Sequence, residues 1–204
     1  MIAFMRSILA GEVGESDTPA DGEQRALAAL ERGDREQALT LLMDAYGESV
    51  FRYCRRMVGD SDLANDVHQT TYVQAFEALP RFERRSSLRT WIFGIARHRC
   101  LDALKARRRR ERRFEVLDEL PDQPALGAEQ ETGLAVREFS RGLERCLEGL
   151  TPASRTAVLL RYAEGFSYPE MASVCGDEPG TLRVRVARAL PVLRGCLERQ
   201  GLRW

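Results

Sequence analysis

Residues 81–113 read RFERRSSLRTWIFGIARHRCLDALKARRRRERR, and this stretch decides which fold and ligand the chain can have. It begins with the polar, serine-containing composition of a loop and continues, from about Leu88 to Arg110, as a helix. Thirteen Lys or Arg residues face three acids here, which gives the segment a charge of about +10. Aromatic rings beside dense guanidinium groups are suited to holding unstacked bases and phosphates. The stretch therefore predicts a site for single-stranded or melting DNA.

The rest of the chain balances this charge, because the formal net charge of all 204 residues is zero. The stretch from Glu115 to Glu131 holds six acids and no Lys or Arg, which is typical of a solvated linker. A hydrophobic fraction of 44% is enough for buried cores in one or two domains. The sequence has no apolar run of about eighteen residues and no secretory signal pattern, so we expect a cytoplasmic protein without membrane insertion.

The chain offers little for enzymatic chemistry. It has two histidines, no close cluster of metal ligands, no Walker loop and no nucleophile beside an obvious base. We therefore expect no cofactor, no metal and no catalytic residue. The five cysteines are scattered and form no Cys-x-x-Cys pair, so we expect reduced thiols packed in helices.

The apolar spacing predicts an all-α protein with two helical domains joined by a flexible acidic linker. Residues 1–22 are predicted to be a disordered tail and residues 23–113 a first helical domain. Residues 114–133 form the linker, and residues 134–204 form a four-helix domain. Within the first domain, Gly59-Asp60 and Pro80 mark the ends of helices.

The predicted helix from Ser61 to Leu79 has one face of unusual composition. Its core side carries Ala64, Val67, Thr71, Ala75 and Ala78. The opposite stripe carries Asp62, Asp66, Gln69, Val73 and Phe76. A solvated face would more often carry Lys and Glu in place of the valine and the phenylalanine, so the stripe favours a protein partner. The alternative for Phe76 is a place in the core.

The second domain has the outline of a helix-turn-helix. Thr151-Pro152 is a helix start, and Ser167 with Glu170 forms a capping box that opens a short helix. Gly176 closes that helix, and another begins around residues 178–180. Two short helices about a tight glycine turn are typical of DNA-binding domains.

The last helix has one apolar and one basic side. Leu182, Val186, Ala189, Leu190 and Leu193 share the inner face. The outer face carries Thr181, Val184, Arg185 and Arg188, with Arg183 on the flank. Arginine binds either base edges or phosphates, so we interpret the outer face as a DNA reader, the alternative being a solvated surface. Pro191 is expected to kink or end this helix.

In two ordered blocks, residues 34–113 and 139–198, the chain resembles the extracytoplasmic-function group of sigma-70-type RNA polymerase sigma factors. The first block holds Asp66-x-x-Gln69, Pro80-Arg-Phe82 and Ser86-Ser-Leu-Arg-Thr-Trp91. The second holds Leu150-Thr-Pro152 and Gly180-Thr-Leu-Arg-x-Arg185-Val-x-Arg188. Arg84 stands where the family commonly has glycine, and Asp177 and Glu178 stand where apolar residues are usual.

The resemblance implies a protein that directs core RNA polymerase to specific promoters and helps to melt them. It implies core-polymerase contacts at the helix stripe, namely Asp62, Asp66, Gln69, Val73 and Phe76. It implies minus-10 DNA contacts at Phe82, Arg84, Arg85, Ser86, Ser87, Arg89, Trp91, Arg97, His98 and Arg99. It implies minus-35 contacts at Thr181, Arg183, Val184, Arg185 and Arg188. For Trp91 we favour a buried anchor beneath the loop over direct contact with a base.

The resemblance implies three partners: core RNA polymerase, promoter DNA and an anti-sigma factor. The contacts with the polymerase would be made to its beta-prime clamp helices and its beta flap. The second interpretation is a stand-alone helix-turn-helix regulator that needs no polymerase. A third, an enzyme acting on nucleic acid, is disfavoured by the absence of catalytic groups.

Overall fold

The computed structural model describes residues 19–114 and 134–202, and these residues form helices and turns without strands. The helices of the first lobe are α1 (Pro19–Glu31), α2 (Arg35–Val58), α3 (Ser61–Ala78) and α4 (Leu88–Phe114). Those of the second lobe are α5 (Leu134–Glu148), α6 (Pro152–Val158), α7 (Tyr168–Cys175) and α8 (Pro179–Arg199). The all-α prediction is confirmed. Residues 1–18 and 115–133, most of the predicted tail and linker, lie outside the described residues.

The helix boundaries of the first lobe follow from local capping. The Asp34 side chain accepts from the amide of Gln37 at the start of α2, and Asp60 accepts from the amide of Leu63 at the start of α3. Gly59 ends α2 with φ 73°, in the left-handed region that glycine enters without a steric cost. On the predicted core face of α3, Ala64, Val67, Thr71 and Ala75 are buried, whereas Ala78 is half-buried; Tyr72, which was not predicted, is also buried.

The second lobe contains the predicted helix-turn-helix. Thr151 caps α6, and Ser167 and Glu170 form the capping box at the start of α7. Gly176, with φ 72°, closes α7, and α8 begins after a short turn. Between α6 and α7 the chain makes a π-helical turn at Leu159–Ala163, which the sequence pattern did not predict.

Of the two outcomes expected at Pro191, a kink or an end near residues 187–190, the end does not occur. The helix runs through the proline to Arg199. A proline removes one backbone hydrogen bond from a helix. Beyond it, Leu193 and Leu197 are fully buried, so their packing holds the second half of α8 in place.

Two of the five cysteines form a disulfide, which corrects the prediction that all are reduced. Cys146 of α5 and Cys196 of α8 are bonded, with Cα atoms 5.8 Å apart. Cys54, Cys100 and Cys175 are free. The bonded pair is 50 residues apart in sequence, so only the packing of the first helix of this lobe against its last brings the sulfur atoms together.

The two lobes pack against each other through a continuous buried cluster. The ring of Phe93 in α4 meets the ring of Phe166, which precedes α7, at a centroid distance of 5.2 Å. The Arg55 guanidinium of α2 pairs with Glu144 of α5 at 2.9 Å. The helix-turn-helix therefore rests on the helix that carries the predicted minus-10 residues.

Candidate nucleic-acid and protein interfaces

The predicted polymerase-binding stripe lies on the outer face of α3. Asp62, Asp66 and Gln69 are exposed, and Val73 is 55% exposed, which is unusual for a large apolar side chain in a helix. Phe76 is half-buried, with the Arg35 guanidinium 4.7 Å from the centre of its ring. The stripe therefore presents two carboxylates, an amide and an apolar side chain together, with Phe76 at its edge.

An aromatic pair supports the loop of residues 82–87, here called the recognition loop, which the resemblance implies reads the minus-10 strand. The rings of Phe82 and Trp91 lie 5.3 Å apart, and both are partly buried against the core. Trp91 thus packs against Phe82, the first residue of the loop. Ser86 is half-buried, whereas Ser87 and Arg85 are exposed.

Arg84 adopts a left-handed backbone conformation that favours glycine. Its φ is 56°, which makes it the one non-glycine residue with positive φ among the described residues. The left-handed region costs a residue with a Cβ roughly 1–2 kcal/mol. The Arg84 side chain pairs with Glu31 at the end of α1, at 2.7 Å, so α1 and the loop are tied together.

Helix α1 also fixes the start of α4, which no sequence signal indicated. The carboxylate of Glu23 accepts from the backbone amide of Leu88 at 2.8 Å and from the hydroxyl of Tyr46 at 2.8 Å. It thereby satisfies one of the free amides at the N-terminus of α4. The first helix, which begins within the predicted tail at Pro19, is therefore part of the support of the recognition loop.

The predicted strand-binding cations of α4 have different surroundings. Arg89 donates to the carbonyl of Glu164 and lies 4.1 Å from the centre of the Phe166 ring, so the second lobe occupies it. Arg97 is half-buried. Arg99 and the exposed His98 both face the carboxylate of Asp102, at 3.3 Å and 3.2 Å. The basic end of α4, residues 107–113, is exposed.

The half-buried carboxyl group of Glu164, at the contact between the lobes, has an altered acidity. Burial raises the pKa of Glu164 to about 7, while the nearby charges of Arg89, Arg52 and Arg56 oppose that rise. In the capping box the effect is opposite, because hydrogen bonds from Ser167 lower the pKa of Glu170.

Four of the five predicted minus-35 residues line one concave surface. This surface encloses about 540 Å³ and is lined by Ser154, Gly180, Thr181, Val184, Arg185 and Arg188. Ser154, at the start of α6, was missed because nothing in its local sequence places it beside α8. Arg183 lies outside this surface, with its guanidinium 5.3 Å from the centre of the Tyr168 ring. The predicted outer face of α8 is thus a basic groove with one apolar wall.

Within the described residues, no helix is long and apolar enough to cross a membrane. The same residues hold no group of three or more His, Cys, Asp or Glu side chains placed to bind a metal ion.

Comparison with known proteins agrees with this two-lobed arrangement. Residues 42–110 match the family model of Sigma-70 region 2, and residues 140–190 match that of Sigma-70, region 4. The ECF RNA polymerase sigma factor SigC of Mycobacterium tuberculosis is 35% identical over 183 residues, which cover 86% of this chain and 92% of that protein. The chain belongs to the extracytoplasmic-function group of sigma-70 sigma factors. It therefore directs core RNA polymerase to promoters for transcription initiation, and the stand-alone regulator is not favoured.

Other relatives and solved structures support the same assignment. The sigma factor SigX of Bacillus subtilis is 29% identical over 174 residues, covering 80% of this chain and 85% of that protein. The sigma factor RpoE of Bartonella quintana, solved in complex with the anti-sigma factor NepR, superposes with a TM-score of 0.62 at 27% identity. That match covers 76% of this chain and 94% of RpoE. Sigma factors are initiation factors and not enzymes.

Proposed function

We propose that this sigma factor divides promoter recognition between its lobes. The first lobe binds core RNA polymerase through the α3 stripe and binds the minus-10 strand through the recognition loop and α4. The second lobe reads the minus-35 element through the groove of α8. The protein acts in the cytoplasm and supplies no covalent chemistry, because RNA synthesis belongs to the polymerase.

The observation that carries this proposal is the convergence of Thr181, Val184, Arg185 and Arg188 on one groove. These side chains combine hydroxyl, apolar and guanidinium groups, which is the set that reads base edges and phosphates in the major groove. The buried inner face of α8, including Leu182, Val186 and Leu193, holds the reading face outward.

The first lobe is supported by a different set of features. Base flipping costs a few kcal/mol of stacking, which contacts to the extruded base and to the phosphates must recover. The recognition loop offers the Phe82–Trp91 pair as a rigid base, and the neighbouring α4 carries cations along its length. An anti-sigma factor is a further proposed partner, because RpoE of Bartonella quintana was solved with one.

Substitution of the groove arginines tests the minus-35 assignment. In holoenzyme, Arg185→Ala and Arg188→Ala are each expected to weaken promoter binding by about 1–3 kcal/mol if the arginine contacts a base, and by less if it contacts only phosphate. Binding to core polymerase should stay unchanged. Arg194→Ala is the matched control, because Arg194 lies on the same helix outside the groove and pairs with Glu198. Loss of polymerase binding, or promoter binding equal to that of the control, would contradict the assignment.

A further inference from the structure

An acidic side chain lies against the DNA-reading groove and holds one of its arginines. The carboxylate of Asp177 accepts from Nη1 of Arg185 at 2.6 Å. The side chains are 33% and 23% exposed, so the ion pair is partly withdrawn from solvent. Arg188, which lines the same groove, is exposed.

The position of Asp177 is fixed by the backbone. It follows Gly176, whose left-handed φ of 72° turns the chain out of α7, and it precedes the first residues of α8. The carboxylate therefore reaches Arg185 from the short turn between α7 and α8. It belongs to the turn of the helix-turn-helix.

A carboxylate at this place opposes non-specific DNA binding. Phosphates dominate the affinity of most DNA-binding surfaces, and an acid near them repels them and neutralises a cation that would attract them. An acid that also fixes an arginine in one orientation raises selectivity for the base that this arginine contacts. A guanidinium has five N–H donors, so Nε and Nη2 of Arg185 remain for a base edge when Nη1 is held by Asp177. A guanidinium already held in one pose also loses less side-chain entropy when it binds.

We infer that Asp177 is a positioning residue for promoter selectivity, which makes Arg185 a base reader at one position of the minus-35 element. This inference rests on the proposed function of the α8 groove. The neighbouring acid Glu178 provides a contrast. It occupies the cap position of α8 but makes no capping hydrogen bond through its side chain, so it contributes the same charge without an ion pair to Arg185.

The test uses holoenzyme formed from the full chain and core RNA polymerase. A promoter selected from genomic fragments is randomised in its minus-35 element, and base preference is measured by sequencing the transcripts. The compared proteins are wild type, Asp177→Asn, Glu178→Gln, Arg185→Ala and the double variant Asp177→Asn with Arg185→Ala. Asparagine has the size of aspartate, and thermal melting of each variant verifies its folding.

We expect Asp177→Asn to lower base preference about 5- to 100-fold at a single position, the one that Arg185→Ala also affects. We expect the double variant to equal Arg185→Ala, because Asp177 acts through Arg185. Both Asp177→Asn and Glu178→Gln should bind non-specific duplex more tightly, since each removes a negative charge. Only the first should change base preference.

The outcomes distinguish a failure of this inference from a failure of the proposed function on which it rests. If Arg185→Ala changes base preference and Asp177→Asn does not, the positioning role is overturned and the minus-35 assignment stands. Equal effects of Asp177→Asn and Glu178→Gln would also overturn it, because charge alone would then explain both. If Arg185→Ala leaves base preference unchanged, Arg185 does not read a base, and the positioning role of Asp177 is then also refuted.

Discussion

Arg155 of the second lobe binds the end of α2 in the first lobe. Its Nη1 donates to the carbonyl of Met57 at 2.6 Å, and its Nη2 donates to the carbonyl of Glu148, in its own lobe, at 2.6 Å. Arg155 is 6% exposed, and burial lowers the pKa of its guanidinium. One side chain thus satisfies a carbonyl group of each lobe.

Removal of this guanidinium should loosen the lobe contact. Arg155→Ala leaves two carbonyl groups without their partner, and hydrogen bonds to charged groups contribute about 1.5–3 kcal/mol. Because Arg155 makes two such bonds, we expect the free energy of unfolding in urea to fall by about 3–6 kcal/mol. Arg194→Ala, which breaks an exposed pair with Glu198, should lower it by less than about 1 kcal/mol. Equal losses of unfolding free energy in the two variants would show that Arg155 does not stabilise the contact between the lobes.

The α3 stripe predicts a separation between folding and polymerase binding. Asp66→Ala combined with Gln69→Ala removes two exposed polar groups and no buried contact, so stability should stay within about 0.5 kcal/mol. Assembly with core polymerase, measured by gel filtration, should be impaired. Arg194→Ala is the control, because Arg194 lies on α8 in the second lobe, outside the α3 stripe. An unchanged elution shift for the double variant would refute the stripe as the polymerase contact.

Arg84 predicts that glycine is more stable than alanine at position 84 of the recognition loop. Arg84→Gly relieves the left-handed backbone, whereas Arg84→Ala removes the same side-chain pair with Glu31 and keeps the Cβ. The glycine variant should therefore exceed the alanine variant by about 1 kcal/mol in unfolding free energy. Thermal melting measures the difference. An alanine variant as stable as the glycine variant would mean that the backbone bears no strain there.

The disulfide predicts redox-dependent stability. Cys196→Ser opens a loop closed across 50 residues, which should lower the unfolding free energy of the oxidised protein by about 2–4 kcal/mol. A reducing agent should lower the unfolding free energy of the wild type toward that of Cys196→Ser and leave that of the variant unchanged. Cys175→Ser is the control, since Cys175 is a free thiol in α7. If a reducing agent destabilises the wild type no more than it destabilises Cys196→Ser, the predicted contribution of the disulfide is contradicted.

Glu164 predicts a fall in stability around neutral pH. Its pKa rises on folding from 4.5 to about 7, so the folded protein holds this proton more tightly than the unfolded chain. The contribution to stability is complete below pH 4.5 and is lost as the pH rises through about 7. We expect the Tm of the wild type to decrease between about pH 5 and pH 8 relative to Glu164→Gln, which cannot titrate. Parallel Tm profiles for the two proteins would contradict the raised pKa.

The sequence predicted the elements whose causes are local. Caps such as Thr151 and the Ser167–Glu170 box act within three residues, and a helical period sorts core from surface, as on α3 and α8. The sequence did not reveal contacts that join distant segments. The Glu23–Leu88 bond, the Cys146–Cys196 bond and the Arg155–Met57 contact depend on the packing of whole helices, which no local pattern encodes.

Pro191 shows why a local rule can also be wrong. The cost of a proline within a helix is a few kcal/mol, and the buried leucines beyond it offset that cost. For the site, the arginines of α8 were predicted from their spacing. The acid that holds one of them was visible in the sequence as a departure from the family pattern, but its partner emerged only from the fold.

Transcription by purified core RNA polymerase on a library of genomic fragments tests the central claim most directly. Run-off transcripts are compared with and without this protein. A promoter-specificity factor predicts discrete start sites that appear only when the protein is present and that share a minus-10 and a minus-35 element. Identical transcripts in both reactions would contradict it.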